Sequence, residues 1–295
     1  MPPFAPTLLP AVERALSARL ERPWRATQVR DLEDRSSHPS AVLTDGQFGV
    51  FAKFSAAPDG RAQFEAELAG LRLLTERAGV RTPAPLDLLD VDGGALLLLE
   101  ALPEIERGPA EWRDLGRTLA RLYTVTGAAC GLPTNNYFGP LPQDNTPLPD
   151  WPTFYTERRL LPNLRLAVDA GHLPAALQRQ VERVITRLPE LAGPPVAPSL
   201  LHGDAQQHNF VSTAAGTFVI DPAVHYGHPE YDLALLDYFA PMPPEVWAGY
   251  QELRPIDPGF PARRDLWRIS AWLAVVAGGG SAWLPQLAAA VSPYV

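Results

Sequence analysis

Residues 201–223 read LHGDAQQHNFVSTAAGTFVIDPA. Asp204 is followed five residues later by Asn209. A short polar turn comes next, then an apolar run over 217–220 that ends in a second acid, Asp221. An Asp, an Asn at the fifth position beyond it and an Asp at a strand end form the arrangement that kinase-type phosphoryl transfer requires. Asp204 is the expected base, orienting and deprotonating an acceptor hydroxyl. Asn209 and Asp221 are the expected Mg2+ ligands, because Mg2+ is a hard cation that takes oxygen donors and shares them with the ATP phosphates. The glycine of the HGD triplet, Gly203, permits a tight backbone turn ahead of the base.

A second clue is the lysine count. Of 25 Lys and Arg residues, Lys53 is the single lysine. The position that keeps a compact ammonium in an arginine-rich chain is expected to need it. Lys53 lies in GVFAKFS, whose alternation predicts a strand. In kinases a strand lysine contacts the α- and β-phosphates and pairs with a helix glutamate. Downstream, Phe64, Leu68, Leu71 and Leu74 recur at helical spacing. Glu65 and Glu67 both fall on that helix; Glu67 is the preferred partner, with Glu65 as the alternative.

The remaining pattern predicts an α+β, bilobal, protein-kinase-like fold. A first helix is expected over about 5–20, strands over about 26–32, 40–44 and 48–54, and the glutamate helix over 61–78. Two more strands, 86–91 and 95–100, flank the turn Asp92-Gly93-Gly94. Leu96 to Leu99 is unbroken apolar sequence, which predicts a strand buried on both faces. Sheet plus helix makes an N-lobe of residues 1–101, and the mainly helical remainder a C-lobe of 102–295. Its helices are expected over 112–124, 151–170, 175–188, 231–239 and 244–250, with a pair from about 262 onward. The link 100–103 takes the position of a nucleotide hinge, so the backbones of Glu100 and Leu102 are expected to meet the adenine edge.

Composition bounds the alternatives. The chain has 295 residues, a net charge of −8 and a pI of about 5.3, which argues against a nucleic-acid or anionic-membrane partner. No run of 18 apolar residues occurs, so no transmembrane helix is expected. The first twenty residues read as an amphipathic helix rather than a signal peptide. One cysteine, Cys130, cannot form an internal disulfide, which suits a cytoplasmic protein. Monomer and homodimer both stay open. The seven tryptophans are expected in the core and in packing rather than as a platform for bases.

Several stretches resemble the fructosamine kinase family, a branch of the aminoglycoside-phosphotransferase-like kinases. They are CGLPTNNYFGPLPQDN (130–145) with DWPTFYTERRLLPNLRLA (150–167), LLHGDAQQHN (200–209), IDPAVHYGHPEYDLALLDYF (220–239) and YQELRPIDPGFPARRDLWRI (250–269). The HGD and IDP parts are shared with related small-molecule kinases; NNYFG and YGHPEYDLA point to this family. The resemblance implies ATP and Mg2+ as cofactors, Asp204 as base, Asn209 and Asp221 as metal ligands, and Lys53 with Glu67 as the phosphate-positioning pair. It implies a small-molecule or protein-linked ketoamine acceptor and a role in repairing glycated amines. Asn135, Asn136, His225 and Tyr226 are the acceptor-side candidates, with His228 nearby. Asp232 is expected to fix the catalytic loop by hydrogen bonds.

The chain departs from the family pattern in two places. Ala205-Gln206-Gln207-His208 stands where the family usually shows Leu-Trp, a small residue and Gly. The segment expected to cover the phosphates, LEDRSSHPSAVLT, has no glycine between Leu32 and Thr44. Ser36 and Ser37 hydroxyls are then the expected phosphate contacts. The other functional classes consistent with the sequence are an aminoglycoside- or amino-alcohol-type phosphotransferase and a pseudokinase binding module.

Overall fold

The structure, a computed structural model, describes residues 6–32 and 38–295. It separates into two compact units: Met1–Glu111 with His208–Asp221, and Trp112–Gln207 with Pro222–Val295. In chain order the opening elements are α1 (Leu9–Arg19), β1 (Gln28–Asp31), β2 (Ser40–Thr44), β3 (Gly49–Ser55), α2 (Gly60–Ala78), β4 (Pro85–Val91) and β5 (Gly94–Glu100). Next come α3 (Pro109–Leu122), the pair β6 (Asn136–Phe138) and β7 (Leu141–Gln143), then α4 (Trp151–Tyr155), α5 (Leu161–Asp169) and α6 (Ala175–Leu191). They are followed by β8 (Ser199–Leu201), β9 (Phe210–Thr213), β10 (Gly216–Val219) and β11 (His225–Gly227). The chain closes with α7 (Pro229–Leu236), α8 (Pro244–Gln251), α9 (Phe260–Gly279) and α10 (Leu284–Val291).

In the first unit an antiparallel sheet runs in the order β1-β2-β3-β5-β4. The central β5 explains its own sequence. Leu96 and Leu98 face a cluster with Val12, Leu16 and Trp24 from the α1 side. Leu97 and Leu99 face Phe64 and Leu71 of α2. Alternate side chains leave a strand on opposite faces, and both faces are covered, so every position must be apolar. The hairpin of β9 and β10 joins this unit through two edges. Val219 donates its N–H to the Arg81 carbonyl, and Ile105 donates to the Ser212 carbonyl. Arg107 adds side-chain bonds to the Ser212 hydroxyl and the Phe210 carbonyl.

The second unit is helical, with an aromatic core. Trp151 stacks on Phe154, Tyr155 and His225, and meets the edges of Tyr231 and Trp267. The helix expected over 151–170 is interrupted by a π-helical segment, Thr156–Leu160. Proline accounts for the local wiring. Pro162 has no N–H to give the carbonyl four residues back. That carbonyl, of Arg158, accepts from the Arg159 guanidinium at 2.9 Å instead. The stretch Phe260–Tyr294 is apolar and long enough by composition to cross a membrane. Gly280, at φ +75°, divides it into α9 and α10, and α9 packs against α5 and α7.

Helices α3 and α8 approach through glycines. A Cβ on Gly116 would lie 2.0 Å from the Val246 carbonyl oxygen, and one on Gly249 would lie 2.0 Å from that of Arg113. Backbone cannot yield as a side-chain tip can. Gly116→Ala is therefore expected to cost about 3 kcal/mol, the upper end of overpacking. Gly278→Ala, with nothing within 4 Å of its Cβ position, is the control and is expected to be neutral or slightly stabilising. Urea unfolding of the two variants checks this.

Candidate active site

Strand β3 carries Lys53 on the face that packs against α2. The lysine is 3% exposed, an expensive place for an ammonium without counter-charges. It has two: Nζ lies 3.0 Å from Glu67 Oε2 and 2.6 Å from Asp221 Oδ1. Glu65 instead pairs with Arg61 at the surface. Burial alone works to lower the Lys53 pKa, but the two carboxylates outweigh it and push it up. Burial raises Glu67 to about 7 against the pull of Lys53. Asp221 has the shorter contact, and Lys53 holds its carboxyl below the usual range despite burial. One ammonium serves two acids, and the nearer acid keeps its charge.

The β9–β10 hairpin brings the two expected metal ligands together. Phe210 pairs with Val219, and just beyond them Ile220 donates its N–H to the Asn209 carbonyl at 3.0 Å. Asn209 and Asp221 thus flank the open end of one hairpin. Asp221 has φ +50°, one of two non-glycine residues in the left-handed region among the described residues. Such a conformation costs energy in a residue with a Cβ and needs surrounding structure to hold it.

In the second unit, β8 and β11 pair antiparallel, Leu201 opposite His225, and lead into the HGD loop. Gly203 has φ +82°, and a Cβ there would lie 1.9 Å from the Ala223 carbonyl oxygen. Only glycine fits. Asp232, in the first turn of α7, accepts from the N–H groups of His202 at 2.7 Å and Gly203 at 3.0 Å, and from the Tyr123 hydroxyl. Burial pushes its carboxyl up to about 7 against those three donors. Asp204 follows, half-buried, its own N–H donated to His202 Nδ1 at 3.1 Å. Gln206 Nε2 donates to both Asp204 carboxylate oxygens, at 3.4 and 3.2 Å.

A lysine between two carboxylates and an Asn–Asp pair at a hairpin end in the first unit, and an acid on a braced loop in the second, are residue types that phosphoryl transfer uses. The fructosamine kinase family model matches residues 8–293. This chain belongs to the fructosamine kinase family. It is 30% identical over 274 residues to a probable ketoamine kinase of Synechocystis sp., covering 91% of this chain and 90% of the relative. It is 26% identical over 255 residues to the ketosamine-3-kinase of Mus musculus, covering 76% and 81%. A crystal structure from Thermobifida fusca, whose fructosamine-3-kinase name is provisional, superposes with a TM-score of 0.83. It shares 31% identity and covers 96% of this chain and 98% of that one. Choline kinase LicA from Streptococcus pneumoniae, 15% identical with a TM-score of 0.67 and 98% and 99% coverage, shares the protein-kinase-like fold.

Several acceptor-side expectations meet a different environment from the one their sequence position implies. His225 is fully buried, inside the aromatic stack, with Nδ1 3.0 Å from the Ala223 carbonyl oxygen. Asn136 is buried on β6 and donates to the Val224 carbonyl at 2.8 Å. Both brace the segment after Asp221 and present no side chain to solvent. Asn135 is exposed and accepts from the Asn145 N–H, and Tyr226 is half-buried. His208 does not have a left-handed φ, so the backbone there does not require the glycine that the fructosamine kinase pattern usually shows. Ser36 and Ser37 lie outside the described residues. In the link 100–103, Glu100 N–H donates to the Ala84 carbonyl and Ala101 N–H to that of Gly49.

His228 caps α7 by accepting the Glu230 N–H and stacks on Trp267. Burial lowers its pKa from 6.5 to about 4. The unfolded chain therefore takes up a proton near pH 6.5 that the folded chain refuses until about pH 4. Stability is expected to fall over that window as pH is lowered, by about 3 kcal/mol from this residue. His228→Asn keeps a capping acceptor and cannot titrate. Its urea midpoints should change less between pH 6.5 and 4 than those of the wild type.

Proposed function

We propose that this protein transfers the γ-phosphoryl group of ATP to a sugar hydroxyl of a ketoamine, a fructosamine or ribulosamine adduct, as a cytoplasmic repair kinase. The observation that carries this is Lys53 held at 2.6 and 3.0 Å between Asp221 and Glu67, in a fructosamine kinase family chain that also bears Asp204 on the HGD loop. Asp204 takes the proton of the acceptor hydroxyl, and a base at this position contributes about 10²- to 10⁴-fold in rate. Lys53, kept charged by its partners, positions the α- and β-phosphates, and Glu67 holds Lys53. The Leu102 N–H takes the adenine edge, since the Glu100 and Ala101 N–H groups are bonded to the Ala84 and Gly49 carbonyls and the Leu102 carbonyl accepts from Glu104 N–H.

The donor chemistry suits Mg2+. Asn209 and Asp221 offer an amide oxygen and a carboxylate, and among the described residues no cluster of three or more His, Cys, Asp or Glu could hold a metal unaided. Mg2+ is usually bound through one or two protein oxygens plus phosphate and water. When bound it neutralises charge on the transferring phosphoryl group. Asn135 and Tyr226 are the acceptor contacts we retain. Asn136 and His225 act behind them.

The test is ADP release from Mg-ATP with ribulose-lysine, fructose-lysine, protein-linked ketoamines and a set of aminoglycosides. Turnover confined to ketoamines supports the proposal and names the sugar. Turnover confined to aminoglycosides transfers the chain to the resistance-type activity. Failure with every acceptor, with no Mg-ATP binding, leaves a binding module.

A further inference from the structure

We infer that Gln206 is a positioning residue for Asp204, holding the base ionised and aligned in the resting enzyme and yielding its place to the acceptor hydroxyl. The inference deepens the proposed function and rests on Asp204 being the base. The observation is geometric. One amide nitrogen faces both oxygens of one carboxylate, at 3.4 and 3.2 Å, two residues along the same loop. A donor placed across the carboxylate fork occupies the side from which a hydroxyl proton would be taken. One contact sits at the long limit of an ordinary N–H···O bond and the other beyond it, so the amide orients the acid and a better donor can displace it.

The loop around the pair is rigid. Gly203 is locked against Ala223, the His202 and Gly203 N–H groups are tied to Asp232, and Ala205 is buried. Gln206 and Asp204 are the half-buried side chains of this turn. Within this unit the titratable groups that sense the Asp204 charge are Tyr231, Asp232 and Tyr238, from α7 and the residues after it, and His202 lies in its own loop. Asp232 is acidic and works against ionisation of Asp204. A neutral donor at 206 works for it, since hydrogen bonds to the charged form favour that form.

Gln206→Ala and Gln206→Glu test this beside the wild type. The 13C signal of the Asp204 carboxyl, assigned by its loss in Asp204→Asn, is followed with pH, and the acid limb of kcat is recorded with a ketoamine acceptor. Gln206→Ala should move both upward by about half a unit to one unit. Gln206→Glu should move them further, because a second carboxylate opposes ionisation. A residue that only supports the loop would lower the melting temperature and leave both limbs in place, and that result overturns the inference. The two levels are separable. Absent turnover with every acceptor removes the proposed function, while an Asp204 titration identical in wild type and Gln206→Ala removes the positioning role whatever the turnover.

Discussion

Asp204→Asn is expected to lower kcat for a ketoamine acceptor by about 10²- to 10⁴-fold, the usual contribution of a positioned general base. Asparagine keeps the shape and removes the proton acceptor. The lysine–acid cluster lies on other elements, so Mg-ATP affinity measured by calorimetry should stay within a few-fold of wild type. Stability should hold or rise slightly. Asp204 is half-buried, and its charge is one of the influences that raise Asp232. Removing that charge relieves a repulsion in a buried acid. A loss of kcat with unchanged nucleotide binding and an unchanged or higher melting temperature is the pattern of a base. Should kcat stay within tenfold of wild type, Asp204 is not the base and the HGD loop has another task.

What the sequence disclosed depended on how local the cause was. The unbroken Leu96–Leu97–Leu98–Leu99 run announces a strand covered on both faces, because nothing but apolar side chains survives there. Glu67 could be preferred to Glu65 because it lies four residues before Leu71, on the buried stripe of α2, whereas Glu65 falls on the Arg61 side. The HGD glycine is likewise local: its φ and its contact with Ala223 admit no side chain. Long-range pairings were not legible. Strands β8 and β11 have three residues each and find one another across more than twenty positions. The Gly116 and Gly249 contacts exist only once α3 and α8 meet. Their place after Asp221 puts His225 and Tyr226 together as acceptor residues. Consecutive residues of a strand face opposite sides, so β11 turns His225 into the aromatic core and leaves Tyr226 half-buried. Position in the chain gave the neighbourhood of these residues but not their direction.

Lys53→Met should combine the largest stability loss with a large loss of activity, and the two can be pulled apart. The substitution leaves Glu67 and Asp221 as neighbouring, partly buried acids without their cation. Breaking a buried ion pair by removing one partner costs about 3–5 kcal/mol. Glu67 already stands at about 7 with Lys53 present. Without the ammonium it should hold its proton to still higher pH. The folded state then binds a proton that the unfolded chain, with a glutamate near its ordinary value of 4.5, has released, so stability falls as pH rises through this interval. The gap between wild type and Lys53→Met in urea unfolding should therefore widen from pH 5 to pH 8. Adding Glu67→Gln removes the acid that suffers most, and Lys53→Met/Glu67→Gln should recover a large part of the lost stability. It should recover none of the activity, because the phosphate-positioning charge is still missing; removing one such electrostatic contact costs about 10²- to 10³-fold in kcat. If the double variant regained turnover along with stability, Lys53 would be a structural counter-ion and the phosphates would have to be held elsewhere.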